Sequence, residues 1–149
     1  MAGNATLARR LHEAWNERNF DEMADATAPD AMITIVGSGD TFKGVEGSRA
    51  YNQMWADGFP DSKVTVDRVI DSGDYVVVEF TGRGTHTGTL TTSMGQIPPT
   101  GRSLTLELCD VIQFKDGKVQ SQRTYFDTGS MMAQLGLGAG QTASQHQTP

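Results

Sequence analysis

Cysteine is almost absent from this 149-residue chain, which contains only Cys109. A single cysteine excludes an internal disulfide and any metal site built from several thiolates. Cys109 lies within a run in which apolar and polar residues alternate, as they do in a half-buried strand. We therefore interpret it as a small structural side chain rather than as a nucleophile.

Basic residues are also scarce. The chain has 12 Lys and Arg against 18 Asp and Glu, which gives a formal net charge of -6. No basic run offsets this balance locally, so a nucleic acid or an anionic membrane surface is not the expected partner. The composition favours a small apolar molecule instead.

Long apolar runs are missing as well. No stretch is long enough to span a membrane, and the N-terminal residues MAGNATLARR lack the apolar core of a signal peptide. These absences favour a soluble, cytoplasmic protein. Because the length suits one domain with a real core, we expect a single domain over residues 1–137. Residues 138–149 are poor in hydrophobic side chains and are expected to form a flexible tail.

The periodicity of apolar residues predicts an α+β protein. Predicted helices cover about 4–19, 20–26, 45–57 and 130–137, and predicted strands cover about 31–36, 41–43, 63–70 and 75–87. Two longer strands follow within 101–129, after a segment at 87–102 that is predicted to be a connection or a rim over the sheet. This order places helices on one face of a curved sheet.

The segment 101–129 carries the strongest hairpin signal, because two alternating runs meet at Asp116 and Gly117. With a two-residue turn, the residue numbers of directly opposed positions add up to the same total. Asp110 is therefore predicted to face Arg123 across the two strands. We interpret that couple as a cross-strand ion pair. A three-residue turn would shift the register of the two strands by one residue, so that Asp110 would no longer face Arg123.

The register set by the two-residue turn also places Asp127 on the apolar face, opposite Leu106 and without a cationic partner. A carboxylate among leucines costs free energy unless it is paired or protonated, so Asp127 is a candidate acid/base. The alternative is that Asp127 caps the helix that follows it. The opposite, polar face of the hairpin is predicted to include Gln122 and Thr124.

His86 is a second candidate. It ends the apolar face of the predicted strand 75–87, where a histidine is either a structural residue or a catalytic base. Other side chains at helical or strand spacing are candidates for the core or for the wall of a cavity: Trp15, Tyr51, Met54, Trp55, Phe59, Leu106 and Leu108.

Five short motifs occur in one order along the chain. They are FPD at 59–61, GTHTG at 84–88, IPPTG at 97–101, DGK at 116–118 and QLGL at 134–137. In order and approximate spacing they resemble the SnoaL-like polyketide cyclase family over about 6–137. The resemblance implies the fold of nuclear transport factor 2 and ketosteroid isomerase, a cone-shaped barrel in which a strongly curved mixed or antiparallel sheet wraps around N-terminal helices and a deep apolar pocket. It also implies a homodimer or higher homo-oligomer.

The resemblance further implies a cofactor-independent, metal-free cyclase or isomerase-type enzyme acting on a polyketide-like or polycyclic ketone. Cyclases of this family close a ring by intramolecular aldol condensation, using an aspartate at the end of the last long strand. Asp127 matches that position, and His86 or Tyr125 would bind the developing oxyanion. The substrate pocket would then include the seven apolar candidates above together with Asp110 and Arg123.

This chain departs from the family pattern in its last strand. Members often have a histidine and a tryptophan where this chain has Gln122 and Arg123. Two other functions therefore stay open. One is an epoxide-opening enzyme that uses Asp110, Arg123 and Asp127, and the other is a non-catalytic protein that binds a small molecule.

Overall fold

The computed structural model describes residues 3–137. The predicted tail at 138–149 lies outside the described residues, so its flexibility and the limit of the domain at residue 137 stay predictions. The chain forms the following elements: α1 (Asn4–Asn16), α2 (Phe20–Asp25), β1 (Thr27–Ile35), β2 (Asp40–Lys43), α3 (Gly44–Gly58), β3 (Lys63–Ser72), β4 (Tyr75–Thr85), β5 (Leu90–Thr92), β6 (Gly95–Ile97), β7 (Ser103–Lys115), β8 (Lys118–Tyr125) and α4 (Thr128–Gln134).

One curled mixed sheet forms the body of the fold. Its strand order is β2-β1-β8-β7-β4-β3, in which β1 runs parallel to β8 and every other neighbouring pair is antiparallel. The predicted α+β class and cone-shaped fold are confirmed. The sheet does not close into a barrel, because β2 and β3 remain as its two edges.

The helices pack on one side of this sheet, with α1 against β3 and β4 and α3 against β1. Helix α1 buries a single face, on which Ala8, Leu11, His12 and Trp15 are spaced as neighbours on a helix surface. The helix ends at Asn16, before the predicted limit, since Arg18 adopts a φ of 59° that a helix does not allow.

The segment 87–102, predicted as a connection or rim, contains a small hairpin of β5 and β6. Its apolar side chains Leu90 and Ile97 are buried in one cluster with Phe59 and Leu104. This hairpin therefore closes the end of the core beyond the C-terminus of α3.

The hairpin of β7 and β8 has the predicted two-residue turn. Asp116 and Gly117 have φ values of 53° and 75°, and Lys115 pairs with Lys118. Phe114 then faces Val119 as expected, but the next pair is Gln113 with Ser121. The extra residue is Gln120, which forms a β-bulge in β8.

The bulge reverses the orientation of every later side chain in β8. Beyond it, Asp110 pairs with Thr124 and Val111 pairs with Arg123. The predicted pairing of Asp110 with Arg123 is therefore wrong. Thr124 is fully buried although it was predicted to lie on the polar face, because a shift of one residue exchanges the two faces of a strand.

Candidate functional site

A cavity of about 130 Å³ lies between the helices and the concave face of the sheet. At about 10–15 Å³ for each water molecule, it has room for roughly ten groups of that size. Three apolar clusters surround it, and the lining residues that they contribute include Leu11, Phe80, Ile112, Phe59, Leu106 and Tyr51. A small, largely apolar molecule is the kind of ligand that suits such a lining.

A buried histidine and carboxylate form one part of the cavity wall. His12 and Asp110 are 8% and 4% exposed, and His12 Nε2 lies 3.0 Å from Asp110 Oδ2. The other ring nitrogen, Nδ1, donates to the Ala8 carbonyl at 2.9 Å, and a carbonyl can only accept. One further proton is therefore shared between Nε2 and Asp110. Phe80 packs edge-on against the imidazole at a centroid distance of 4.7 Å.

Asp110 has a second donor on the neighbouring strand. The Thr124 hydroxyl donates to Asp110 Oδ1 at 2.8 Å, so its oxygen can accept only from other groups. Tyr51 Oη and Gln122 Nε2 lie 3.1 and 3.3 Å from that oxygen and donate to it. Each member of this buried network has a hydrogen-bond partner, which is the condition under which polar groups are stable in a core.

The negative charge of Asp110 favours the protonated forms of both His12 and Tyr51. Burial opposes a charge on His12, but the hydrogen bond from His12 to Asp110 and the negative charge of Asp110 outweigh it, so the pKa of His12 is raised above its ordinary value. Burial raises the pKa of the Tyr51 hydroxyl, and the Asp110 charge raises it further. The arrangement thus favours an imidazolium paired with a carboxylate, next to a phenol that keeps its proton.

The proteins that this chain resembles give the site its context. The sequence matches the SnoaL-like polyketide cyclase family over residues 5–135. This chain belongs to that family. Its members bind small molecules. No curated protein matches the sequence.

Solved structures of the family and fold agree with this assignment. IdmH from Streptomyces antibioticus, assigned as a polyketide cyclase, is 31% identical, with a TM-score of 0.68 over 85% of this chain and 93% of IdmH. A protein assigned as a SnoaL-like polyketide cyclase from Jannaschia sp. CCS1 is 25% identical, with a TM-score of 0.70 over 78% of this chain and 77% of that protein. A nuclear transport factor 2-like protein of unknown function from Burkholderia pseudomallei is 26% identical, with a TM-score of 0.73 over 91% of this chain and 98% of its own.

The structure places seven of the nine predicted pocket residues in the lining of the cavity. Those that line the cavity are Trp15, Tyr51, Trp55, Phe59, Leu106, Leu108 and Asp110. Met54 instead borders a separate surface groove with Phe42 and Thr91. Arg123 is exposed on the other face of the sheet, where its Nε donates to Tyr125 Oη at 2.9 Å.

The three residues predicted to be catalytic do not line this cavity. Tyr125 is 39% exposed beside Arg123 on the outer face of the sheet. Asp127 is exposed at the start of α4, where its Oδ1 accepts from the Ser130 backbone N–H at 3.0 Å. The expected position of Asp127 on the apolar face is therefore wrong, and the alternative of a helix cap is confirmed.

His86 is fully buried, behind the cavity wall. Its ring lies 5.2 Å from that of Phe59, and its Nδ1 accepts from the Thr100 backbone N–H at 3.2 Å. Burial lowers the pKa of His86, so the neutral ring is favoured. Its backbone bonds to Gly101 and Arg102 fix the far end of the 87–102 segment. These contacts support the structural interpretation of His86.

His12 is the functional candidate that the sequence prediction missed. The signal for it was present, because His12 follows Ala8 by four residues and precedes Trp15 by three, the spacing of one buried helix face. A histidine on that face, at the concave side of the predicted sheet, needed a partner. Its partner in the structure is Asp110, which the simple hairpin register predicts to pair with Arg123.

Proposed function

We propose that this SnoaL-like protein is a cofactor-independent enzyme that removes a proton next to the carbonyl group of a compact apolar ketone. Asp110 is the catalytic base in this proposal. His12 is a positioning residue, since both of its ring nitrogens are engaged, by Ala8 and by Asp110. The observation that carries the proposal is a carboxylate in the wall of a largely apolar cavity, held between two donors.

The chemistry balances within the cavity. An Asp110 oxygen takes the proton from the carbon next to the carbonyl. The electron pair of that C–H bond forms a C=C bond, and the π electrons of the carbonyl move onto its oxygen to give an enolate. The Gln122 amide donates one hydrogen to Thr124 and has a second hydrogen for the enolate oxygen. In a ring closure, the enolate carbon attacks a second carbonyl of the same molecule, and protonated Asp110 returns its proton to the new alkoxide.

The donors around Asp110 suit this role. His12 and Thr124 fix the carboxylate through both of its oxygens, so the base is oriented before the ketone enters. A further lone pair on each oxygen is free to point into the cavity, because a carboxylate has about four acceptor positions. The apolar lining removes water, which would otherwise compete for the carboxylate.

The family membership supports an intramolecular aldol-type closure of a polyketide-like ketone as the natural reaction. The epoxide-opening alternative gains no support, because Arg123 and Asp127 do not line the cavity that contains Asp110. A catalytic role for Asp127, His86 or Tyr125 stays an untested prediction. The homodimer and the cytoplasmic location also stay untested predictions. Among the described residues, no helix is long and apolar enough to cross a membrane.

The test is proton exchange on acetophenone, a ketone of about the size that the cavity admits. In heavy water, the wild type is expected to replace the methyl hydrogens of acetophenone with deuterium, a loss that proton NMR follows directly. Asp110→Asn is expected to lower the rate by about a hundredfold or more, the usual contribution of general base catalysis. Asp127→Asn is the matched control and is expected to keep the wild-type rate.

Two results would overturn the proposal. If exchange survived in Asp110→Asn but was lost in Asp127→Asn, the catalytic base would be Asp127, the residue that the family pattern implies. Binding of acetophenone without exchange, in wild type and both variants alike, would favour a non-catalytic protein that binds small molecules.

A further inference from the structure

Two polar side chains on α3 face the cavity without using their full hydrogen-bonding capacity. Ser48 and Asn52 line the cavity and are 3% and 4% exposed. Asn52 Nδ2 donates to the Ser48 carbonyl at 2.9 Å, which identifies the other amide atom as the oxygen. Within residues 3–137, neither Asn52 Oδ1 nor the Ser48 hydroxyl makes a hydrogen bond.

These two atoms are not sealed inside the protein. Among the described residues, two buried side-chain atoms have neither a hydrogen-bond partner nor contact with open space. They are Trp15 Nε1 and His86 Nε2. Asn52 Oδ1 and Ser48 Oγ are not among them, so both touch space wide enough for a water molecule. A ligand group that displaces a water from these atoms loses affinity unless it reproduces the same hydrogen bonds, so the ligand must match both atoms.

The spacing of the two residues suits a single small group. Ser48 and Asn52 are four residues apart in α3, so their Cβ atoms are about 5–6 Å apart on one helix face. An oxygen atom between them can lie at hydrogen-bond distance, about 2.8 Å, from both. Serine can donate to that oxygen, whereas Asn52 Oδ1 can only accept from it. The Ser48 hydroxyl has a hydrogen to donate as well as lone pairs to accept, so a group that accepts from Ser48 and donates to Asn52 Oδ1 uses the donor of one residue and the acceptor of the other. A hydroxyl group does both with a single oxygen atom.

We propose that Ser48 and Asn52 form a subsite for a neutral hydroxyl group of the substrate. This inference rests on the proposed function, because it takes the cavity to be the substrate site. It narrows the substrate to a hydroxylated ketone whose hydroxyl group binds on α3, apart from the carbonyl that reacts at Asp110. A carbonyl at the subsite would leave Asn52 Oδ1 unpaired, and an ammonium would place an uncompensated charge in an apolar cavity.

Two other hydroxyl groups in the cavity lining do not offer an equivalent subsite. The Thr27 hydroxyl donates to the Met23 carbonyl at 2.8 Å, and Tyr51 donates to Thr124. Helical serines commonly donate to the carbonyl four residues earlier, and Ser48 makes no such bond within the described part of the chain. Its hydroxyl is therefore free to donate into the cavity.

The experiment compares two probes, acetophenone and para-hydroxyacetophenone, which differ by one hydroxyl group. Dissociation constants are measured from the fluorescence of Trp15 and Trp55, which line the cavity. The wild type is expected to bind para-hydroxyacetophenone about tenfold more tightly, since a site built for a hydroxyl discriminates strongly against the analogue that lacks it. Ser48→Ala and Asn52→Leu are each expected to reduce that preference below about threefold, with little change for acetophenone.

Gln53→Leu is the matched control. Gln53 is exposed next to Asn52 in α3 and donates to Asp57 rather than lining the cavity, so the variant makes the same amide-to-leucine change and should keep the preference. Ser48→Ala decides the question if Asn52→Leu fails to fold by circular dichroism. Equal affinities in the wild type, or a preference that survives in folded Ser48→Ala, would overturn the subsite. Failure of both probes to bind would overturn it as well.

Binding and exchange separate this inference from the proposed function. Asp110→Asn is expected to lose exchange while it keeps the preference for the hydroxylated probe. A hydroxyl preference without exchange in the wild type would retain the subsite and reject the catalytic proposal. Exchange without a hydroxyl preference would retain the catalytic proposal and reject the subsite.

Discussion

Asp110 and Asp127 are the two carboxylates of this chain with a claim to catalysis, and their surroundings are opposite. Asp110 is 4% exposed in the cavity wall and accepts from two side chains on different elements. Asp127 is exposed and accepts from one backbone N–H, three residues along its own chain. A carboxylate at a helix N-terminus stabilises that helix wherever it occurs, whereas one enclosed by a histidine and a threonine within an apolar cavity requires a tertiary arrangement of its own.

The largest effect on stability is expected from His12→Leu. This change leaves Asp110 buried without its cationic partner, and breaking a buried pair in this way costs about 3–5 kcal/mol. Urea unfolding measures the loss. The double variant His12→Leu/Asp110→Leu removes both charges and is expected to recover most of the stability. A loss below about 1 kcal/mol in the single variant would mean that the pair is not charged in the folded protein.

The pH dependence of stability sharpens the contrast between the two buried histidines. The pKa of His12 is raised above its ordinary 6.5, so the folded state holds more protons than the unfolded state above that pH. The contribution of His12 to stability is then complete below about pH 6.5 and is lost as the pH rises through the raised pKa. Asp110→Asn is expected to remove this loss, which urea midpoints over a pH series measure.

His86 is expected to behave in the opposite way. Its pKa is lowered from 6.5 by burial, so the contribution of His86 to stability is complete above about pH 6.5 and declines as the pH falls toward the lowered pKa. NMR titration of the two imidazole rings separates the contributions. Titration of both rings at the same pH would contradict the difference between His12, which is paired with a carboxylate, and His86, which is not.

A smaller effect is expected from Asp127→Ala. Loss of the N-cap of α4 should cost about 1 kcal/mol, whereas Asp127→Asn, which keeps an acceptor at the cap, should cost only a few tenths. Thermal unfolding checks both values. Exchange on acetophenone should stay within about twofold of the wild-type rate in each variant, and a large loss of exchange in Asp127→Asn would return that residue to the catalytic machinery.

The smallest effect is expected from Arg123→Gln. Arg123 is exposed, and its Nε donates to Tyr125 on the outer face of the sheet, so stability should change by less than about 0.5 kcal/mol. The rate of exchange should not change. A clear loss of activity would indicate that Arg123 acts on Asp110 after all, as an unbulged hairpin predicts.

The sequence was sufficient for the fold but only partly for the site. Alternation along β7 correctly predicted that Leu106, Asp110 and Phe114 share the buried face, since that strand is regular. The same logic failed in β8 because the bulge at Gln120 has no composition signal: glutamine is an ordinary residue in a strand. The bulge makes Thr124 the partner of Asp110, whereas a register without the bulge predicts Arg123.

His12, Ser48 and Asn52 illustrate a different limit. Helical spacing alone places each on a buried helix face, so their burial was accessible from the sequence. Their roles depend on what lies across the cavity, on strands more than fifty residues away in the chain. Local periodicity contains no information about such contacts, so helical spacing alone does not distinguish these residues from their aromatic neighbours.

The bulge also has an evolutionary consequence. Deleting Gln120 would restore the simple register of β8 and turn Arg123 and Tyr125 toward the cavity, while Gln122 and Thr124 moved to the outside. One codon gained or lost in this strand would thus replace a neutral, hydrogen-bonding wall with a cationic and phenolic one, although no other residue changed. Insertions and deletions at this position offer the scaffold a route to new chemistry that substitution alone would reach only through several simultaneous changes.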